Sequence, residues 1–412
     1  MFDDPLMWAR LQFALTAGIH YMFVAFTLGM APMILGAQLG ATLRGDAARM
    51  AAVRFWGGLY VVNYGMGVLS GLVMELQLAL NWSGLNDVFG HVFSAPLAIE
   101  TVAAFFVEST FLGLWIFGWD RMNRWAHLAA FGVVTLTAYL SAFWVLVSNG
   151  FLKNPVGFEM RGGVAVLTDP AALVANPSAL LAFGHVASST LLVGGLVTAA
   201  VSAYHLRRGD DPDGMFGRGV RRGLLVTALA VMPTPAFGGT QYALRGAPAT
   251  SGQTLDEAEI ERIEAAGAGA APVLADIGNA VMTLSWLLVL LLTSVSLLVW
   301  LLRGLDRWRW FHALLVFAPV LPLAASVAGW LYRELGRQPW AVRHHMTTAD
   351  AVTEMSGGMA ATSFFLFTGA FAVLACVTWW LIARFARRGP EGGPLAPAPD
   401  PGAEPASPIH TY

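Results

Sequence analysis

Two histidines, a methionine and a set of glutamates fall inside stretches of this sequence that are otherwise apolar. His20 lies in ARLQFALTAGIHYMFVAFTLGM, His185 in AFGHVASST and Met282 in GNAVMTLSW; Glu75 lies in GLVMELQLALNW, and Glu100 and Glu108 share PLAIETVAAFFVEST. A further stretch, WLYRELGRQPWAV, sets Arg333, Glu334, Arg337 and Gln338 among tryptophans. Ionised groups are expensive in apolar surroundings, so each needs a partner or a purpose. Neutral imidazole and thioether are haem-iron ligands, and a His/Met pair raises the potential of a low-spin haem. A large macrocycle also gives a reason for 15 Trp and 25 Phe, which can wall an aromatic slot. Each residue also has a purely structural reading. An intramembrane histidine can bond between helices, a methionine can fill a core, Glu334 can pair with Arg337, and rim tryptophans can anchor the interface. By spacing alone, a redox protein and a proton-coupled transporter fit equally well.

The elements that must position these groups are membrane helices. Of 412 residues, 56% are hydrophobic and 12% charged, whereas a soluble domain is about 45–50% apolar and about 25% charged. A net charge of −2 without a basic run gives no reason to expect nucleic acid. The single cysteine, Cys376, excludes an internal disulfide or a cysteine metal cluster. Windows of about 20 apolar residues fall near 11–37, 55–80, 93–118, 126–148, 179–204, 222–241, 273–302, 310–332 and 361–384. The sixth is interrupted by Pro233 and Pro235. The first reads as an uncleaved anchor. The fold class is therefore an all-α integral membrane protein of about nine transmembrane helices. Arginines concentrate in 44–54, 121–124, 207–222, 303–309 and 384–388, which places the N-terminus outside and the C-terminus in the cytoplasm.

That orientation assigns depths. At about 1.5 Å per residue, His20 lies roughly 15 Å, His185 roughly 9 Å, Met282 roughly 14 Å, Glu75 roughly 8 Å, Glu100 roughly 10 Å and Glu108 roughly 22 Å below the outer face. Glu334 lies at or just inside that face. Apart from Glu108, the candidates share the outer half of the membrane. Residues 1–388 read as one polytopic haem-binding domain with an outer loop over 242–272, where Thr254 is placed to cap a short acidic helix with Glu257 at its third position. The Pro/Gly/Ala-rich tail 389–412 reads as disordered and cytoplasmic.

The strings containing His20, Glu100/Glu108 and His185, together with MELQLALNWSG, VSNGFLKNPVG and GWLYRELGRQPW, resemble the signature segments of subunit I of the cytochrome bd-type terminal oxidases. They occur in that family's order, from about residue 8 to 205 and again from about 328 to 353. The resemblance implies a multi-pass protein of the bacterial cytoplasmic (inner) membrane that carries three haems near the outer face. They would be low-spin and high-spin haem b, with haem d or a further haem b. It implies a homologous second subunit, a small accessory subunit and the reduction of O₂ to water with quinol. By position, His20 and Glu334 match ligands of the two high-spin haems, and His185 and Met282 match the low-spin axial pair. Arg337 and Trp340 match cofactor contacts, and Trp330 a residue between haems. Glu100 and Glu108 match proton-delivering carboxylates, spaced about 12 Å apart along one side of an α-helix, and Glu75 matches a further glutamate near the haems.

Two positions depart from the family. Its quinol-oxidising loop, between the sixth and seventh helices, carries a lysine and a glutamate in a recognisable string. Here the region reads TPAFGGTQYALRGAPATSGQTLDEAEIER without lysine, Lys153 being the only one in the chain. The family also carries an arginine two positions before the methionine ligand, where this chain has Ala280. Both departures fall around the low-spin haem. A non-quinol donor, cytochrome c or a partner redox subunit, therefore stands as the alternative.

Overall fold

A computed structural model describes residues 4–243, 255–267, 271–305 and 307–396. Among them nine helices are long and apolar enough to cross a bilayer: Pro5–Arg44, Ala47–Asn81, Ser83–Phe117, Arg124–Lys153, Pro170–Arg208, Pro212–Ala243, Ala271–Leu301, Arg309–Leu335 and Gly357–Arg388. They are numbered here as spans 1 to 9. The expected all-α membrane architecture is the one observed. Most helices run past their apolar windows because capping groups mark their ends. Asp4 accepts from the N–H groups of Leu6 (3.0 Å) and Met7 (3.3 Å) at the start of span 1, and Gly45 ends it in the left-handed conformation (φ 62°).

Prolines break the backbone ladder within the spans, and other spans repair it. Pro32 has no N–H for the Leu28 carbonyl four residues earlier; Tyr139 of span 4 donates to that oxygen at 3.0 Å. In span 6, Pro233 and Pro235 split the helix into Met215–Ala230 and Pro233–Ala243. The Val231 carbonyl, which would have met the N–H of residue 235, accepts instead from Trp286 Nε1 of span 7 at 2.8 Å. Span 8 is likewise divided at Pro319, into Arg309–Phe317 and Val320–Leu335. Span 3 contains a π-helical segment, Val102–Glu108, so the regular α-helical spacing expected between Glu100 and Glu108 does not hold. Its wider turns re-aim Glu108 relative to Glu100.

One buried apolar cluster gathers Phe26, Ile34, Phe55, Tyr60, Trp115, Phe131 and Val193 from spans 1 to 5. A second joins Val193's neighbours in span 5 to spans 6 to 8 through Leu196, Leu224, Val289 and Phe311. Spans 1 and 5 meet backbone to backbone at Gly29 and Gly194, where a Cβ on either would strike the other's main chain.

The connections between spans 4 and 5 and between spans 8 and 9 fold against a third cluster around Trp82, Phe89 and Phe151. The first is a hairpin of β1 (Phe158–Arg161) and β2 (Val164–Leu167). It turns at Gly162 and Gly163, both at positive φ, as a tight two-residue hairpin turn requires. The second pairs β3 (Trp340–Val342) with β4 (Met346–Thr347). A short acidic helix, Glu257–Gly267, lies between spans 6 and 7. Asp256 meets its first turn, accepting from the Glu259 N–H at 2.7 Å; Thr254 lies outside the described residues. Of the tail, Pro390–Gly392 forms a 3-10 turn and Leu395 packs against the first cluster, while 397–412 lie outside the described residues.

The Gly29–Gly194 crossing yields a stability prediction. Gly29→Leu or Gly194→Leu forces the two spans apart and costs about 1–3 kcal/mol. Thermal unfolding in detergent measures this as a lowered midpoint, with Gly40→Leu, where an added Cβ meets nothing within 4 Å, as the unchanged control.

Candidate functional site

All ten residues singled out above line one cavity of about 980 Å³: His20, Glu75, Glu100, Glu108, His185, Met282, Trp330, Glu334, Arg337 and Trp340. Spans 1 to 8 and the segment after span 8 contribute to it. Glu108, Glu334 and Trp340 are buried, and the others are partly buried.

Hydrogen bonding decides the tautomer of both histidines. The Thr234 carbonyl lies 2.8 Å from His185 Nδ1, and a carbonyl only accepts, so that nitrogen carries the proton. For His20 the partner is Ser70 Oγ at 2.9 Å. Ser70 spends its own proton on the Gly67 carbonyl at 2.9 Å, so His20 Nδ1–H is again the donor. Both rings thus keep a lone pair on Nε2, the arrangement that outer partners impose on metal-ligating histidines.

Glycines on neighbouring spans lie behind the same groups. A Cβ at Gly71 would meet His20 Cε1 at 3.3 Å, one at Gly238 would meet His185 Nδ1 at 2.7 Å, and one at Gly329 would meet Met282 Sδ at 2.8 Å. A side chain at Gly238 or Gly329 would displace the group it meets, and one at Gly71 would press on the His20 ring.

Glu334 accepts from Asn149 Nδ2 at 2.9 Å and from Arg337 Nη2 at 2.7 Å. Each carboxylate oxygen retains a second lone pair. Asn149 also accepts from Arg333 Nε, which makes one amide the bridge between a cation and an anion. The sequence reading gave Asn149 no role, although it stands in VSNGFLKNPVG. Trp330 packs at a tilt against Phe13 and Tyr21, with ring centroids 6.2 and 6.3 Å away.

The other carboxylates are held by hydroxyls. Ser141 donates to Glu100 at 2.7 Å, Thr101 to Glu75 at 2.7 Å and Tyr60 to Glu108 at 3.3 Å. Glu75 and Glu100 are neighbouring carboxyl groups. None of Ser70, Thr234, Ser141, Thr101 or Tyr60 could be picked out from sequence, since isolated hydroxyls in helices carry no pattern.

The acidic helix brings an unpredicted residue to the cavity. Glu264 lines it and accepts from Trp340 Nε1 at 3.1 Å. His344 Nε2 lies 3.6 Å from the same oxygen. Burial, then the charge of Arg343, holds His344 below its ordinary pKa, so near neutral pH it faces Glu264 as a neutral ring.

The donor set suits haem. Among the described residues no three His, Cys, Asp or Glu side chains gather as a bare ion would need, whereas haem iron takes only one or two protein ligands. Buried nitrogens without partners, Trp330 Nε1, Arg10 Nε, Arg333 Nη2 and Arg337 Nε, occur among the lining residues. They are donors that match an anionic, polar-edged ligand.

The fold and this cavity define a multi-pass helical membrane protein with ligand-type side chains gathered around one internal cavity. Residues 8–249 and 272–390 match the family model for cytochrome bd terminal oxidase subunit I, and the chain belongs to that family. It is similar to cytochrome bd ubiquinol oxidase subunit 1 of Bacillus subtilis, at 29% identity over 94% of this chain and 95% of that one. It is similar to cytochrome bd-II ubiquinol oxidase subunit 1 of Escherichia coli at 27% identity, over 94% and 97%. The solved bd oxidase from Geobacillus thermodenitrificans shares the fold with a TM-score of 0.79, 24% identity and coverage of 94% and 99%. The protein is thus a terminal oxidoreductase of the bacterial inner membrane that uses haem, in a family whose subunit I pairs with a subunit II.

The bridge at Asn149 is testable directly. Asn149→Ala leaves Arg333 Nε and Glu334 Oε1 unsatisfied and costs about 1–3 kcal/mol, expected as a lower unfolding temperature in detergent. A midpoint equal to the parent's would show that the bridge does not stabilise the fold.

Proposed function

We propose that this subunit passes electrons from an outer-side low-spin haem, held by His185 and Met282, to a high-spin pair held by His20 and Glu334, where O₂ is reduced to water with cytoplasmic protons. The observation that carries this is the convergence of all four ligand-type residues on one cavity, with both imidazole Nδ1 protons already engaged. The cofactors would be low-spin and high-spin haem b, with haem d or a further haem b. When bound, they supply the one-electron transfers and the reduction of oxygen.

The protein's own groups provide geometry and protons. Thr234 and Ser70 orient the two imidazoles, while Gly238 and Gly329 give His185 and Met282 room against their neighbours. Arg337 neutralises Glu334 from one side and Asn149 steadies it from the other. Trp330 lies between the His20-side aromatics and the Glu334 segment. Glu108 at the end of the π-helical segment and Glu100 near Glu75 are the carboxylates along which protons would move inward to outward. Tyr60 and Ser141 hold each in place.

Quinol is the donor this reading favours. Related subunits are described as ubiquinol oxidases, and another from Bacillus subtilis as a putative menaquinol oxidase. The loop that lacks the family's lysine still delivers a carboxylate, Glu264, to the cavity beside Trp340. A quinol gives up protons as it gives up electrons, and Glu264 is placed to accept one. A homologous second subunit and a small accessory subunit would complete the assembly. Cytochrome c or a partner redox subunit remains the alternative, favoured by the missing lysine and by Ala280.

The decisive test is a reduced-minus-oxidised spectrum of the purified complex with haem extraction. His185→Ala and Met282→Ala should each abolish the low-spin band, and Gly36→Ala, which lies away from the cavity and whose added Cβ meets nothing within 4 Å, should not. Retention of that band in both ligand variants would sink the assignment. Turnover with ubiquinol or menaquinol as sole reductant tests the donor. Glu264→Gln should slow it by ~100-fold, the scale of a lost general base, and leave dithionite reduction unchanged. Reduction by cytochrome c but not by quinol would establish the alternative.

A further inference from the structure

Arg333 is a charged side chain of the cavity that the reaction above leaves without a task. Its Nε donates to Asn149 Oδ1 and its Nη1 to Gln241 Oε1 at 2.9 Å. Both partners are neutral amides. Nη2 is buried with no partner. The adjacent carboxylate, Glu334, is turned to Asn149 and to Arg337, with which it forms the ion pair at 2.7 Å. Among the described residues, no carboxylate lies within salt-bridge distance of Arg333. A guanidinium placed inside a membrane protein without a counter-ion carries a large desolvation cost. Its planar fork, with one arm free, suits a carboxylate.

Its position says which carboxylate. Gln241 ends the same helix, Pro233–Ala243, whose Thr234 and Gly238 hold and abut His185. His185 and Tyr21 both lie within the electrostatic reach of Arg333. The cavity around it is large and mainly apolar in lining, so the carboxylate must belong to a bulky apolar molecule. Ala280, where the family resemblance puts an arginine, is exposed and does not line the cavity. No cation reaches the His185 side from that position.

We propose that Arg333 binds a propionate carboxylate of the haem held by His185 and Met282, and supplies from span 8 the positive charge that the family carries two residues before the methionine. This rests on the ligand assignment made under the proposed function. A fixed positive charge favours the reduced, less positive iron, so Arg333 raises the potential of that haem.

Redox titration of the low-spin band in the purified complex tests this, with haem content measured alongside. Arg333→Gln should shift the reduction equilibrium about tenfold toward the oxidised form, a midpoint lowered by about 59 mV for one electron. Arg333→Lys, which keeps the charge, should retain most of the potential. If R333Q loses the haem altogether, retention by R333K supports the pairing and loss in both overturns it. An unchanged midpoint in R333Q, or an equal fall in R333K, overturns it as well. A parent midpoint that moves with added formate would show an exchangeable anion in place of a propionate. His185→Ala retaining the band would bring down the ligand assignment and this proposal together. An unchanged R333Q midpoint with the band lost from H185A would bring down this proposal alone.

Discussion

Inside a bilayer no water is at hand to complete a hydrogen bond, so each polar group of a span must find its partner within the protein. Much of this structure follows from that demand. Pro32 and Pro235 leave carbonyls without donors, and Tyr139 and Trp286 reach across from other spans to supply them. The same bonds tie span 1 to span 4 and span 6 to span 7. What begins as a local defect in one helix becomes a fastening between two.

The demand also prepares the cavity. His20 and His185 each commit one nitrogen to a helix partner, which leaves the other as an acceptor facing the interior. Glu334 and the two arginines near it are held through one asparagine and one ion pair. A chain that satisfies its polar groups in this way arrives with ligand nitrogens in one tautomer and a carboxylate in one place. The unsatisfied donors of the cavity-lining residues Arg10, Trp330, Arg333 and Arg337 are groups that a polar-edged ligand would complete. Such pre-arrangement lowers the reorganisation needed when charge moves.

Legibility from sequence varied with the range of the interaction involved. Apolar runs announced the spans, because the cost of burying charge acts on every residue of a helix. His20, His185, Met282 and Glu334 were legible as candidates, since a ligand or ionisable group within an apolar run stands out, and all four do line one cavity. Asn149, Ser70 and Thr234 were not legible. A small polar residue in a helix looks the same whether it bonds its own backbone or a catalytic group on another span. Glu264 was hidden for a similar reason: it is one acid among several on a short helix, and only the docking of that helix on Pro339 and Trp340 distinguishes it.

The amino-acid sequence by itself determined the class of the protein, the number of its spans and the candidates for binding iron or carrying protons. These depend on composition, length and residue type, which are local properties. The tertiary structure alone decided how those groups meet. It turned Val102–Glu108 into a π-helix without any warning in VAAFFVE, and it set Gly71, Gly238 and Gly329 behind three candidate ligands. It also left Arg333 with a free donor. The physical reason is that these are contacts between helices distant in the chain, and packing between helices answers to shapes on both sides at once.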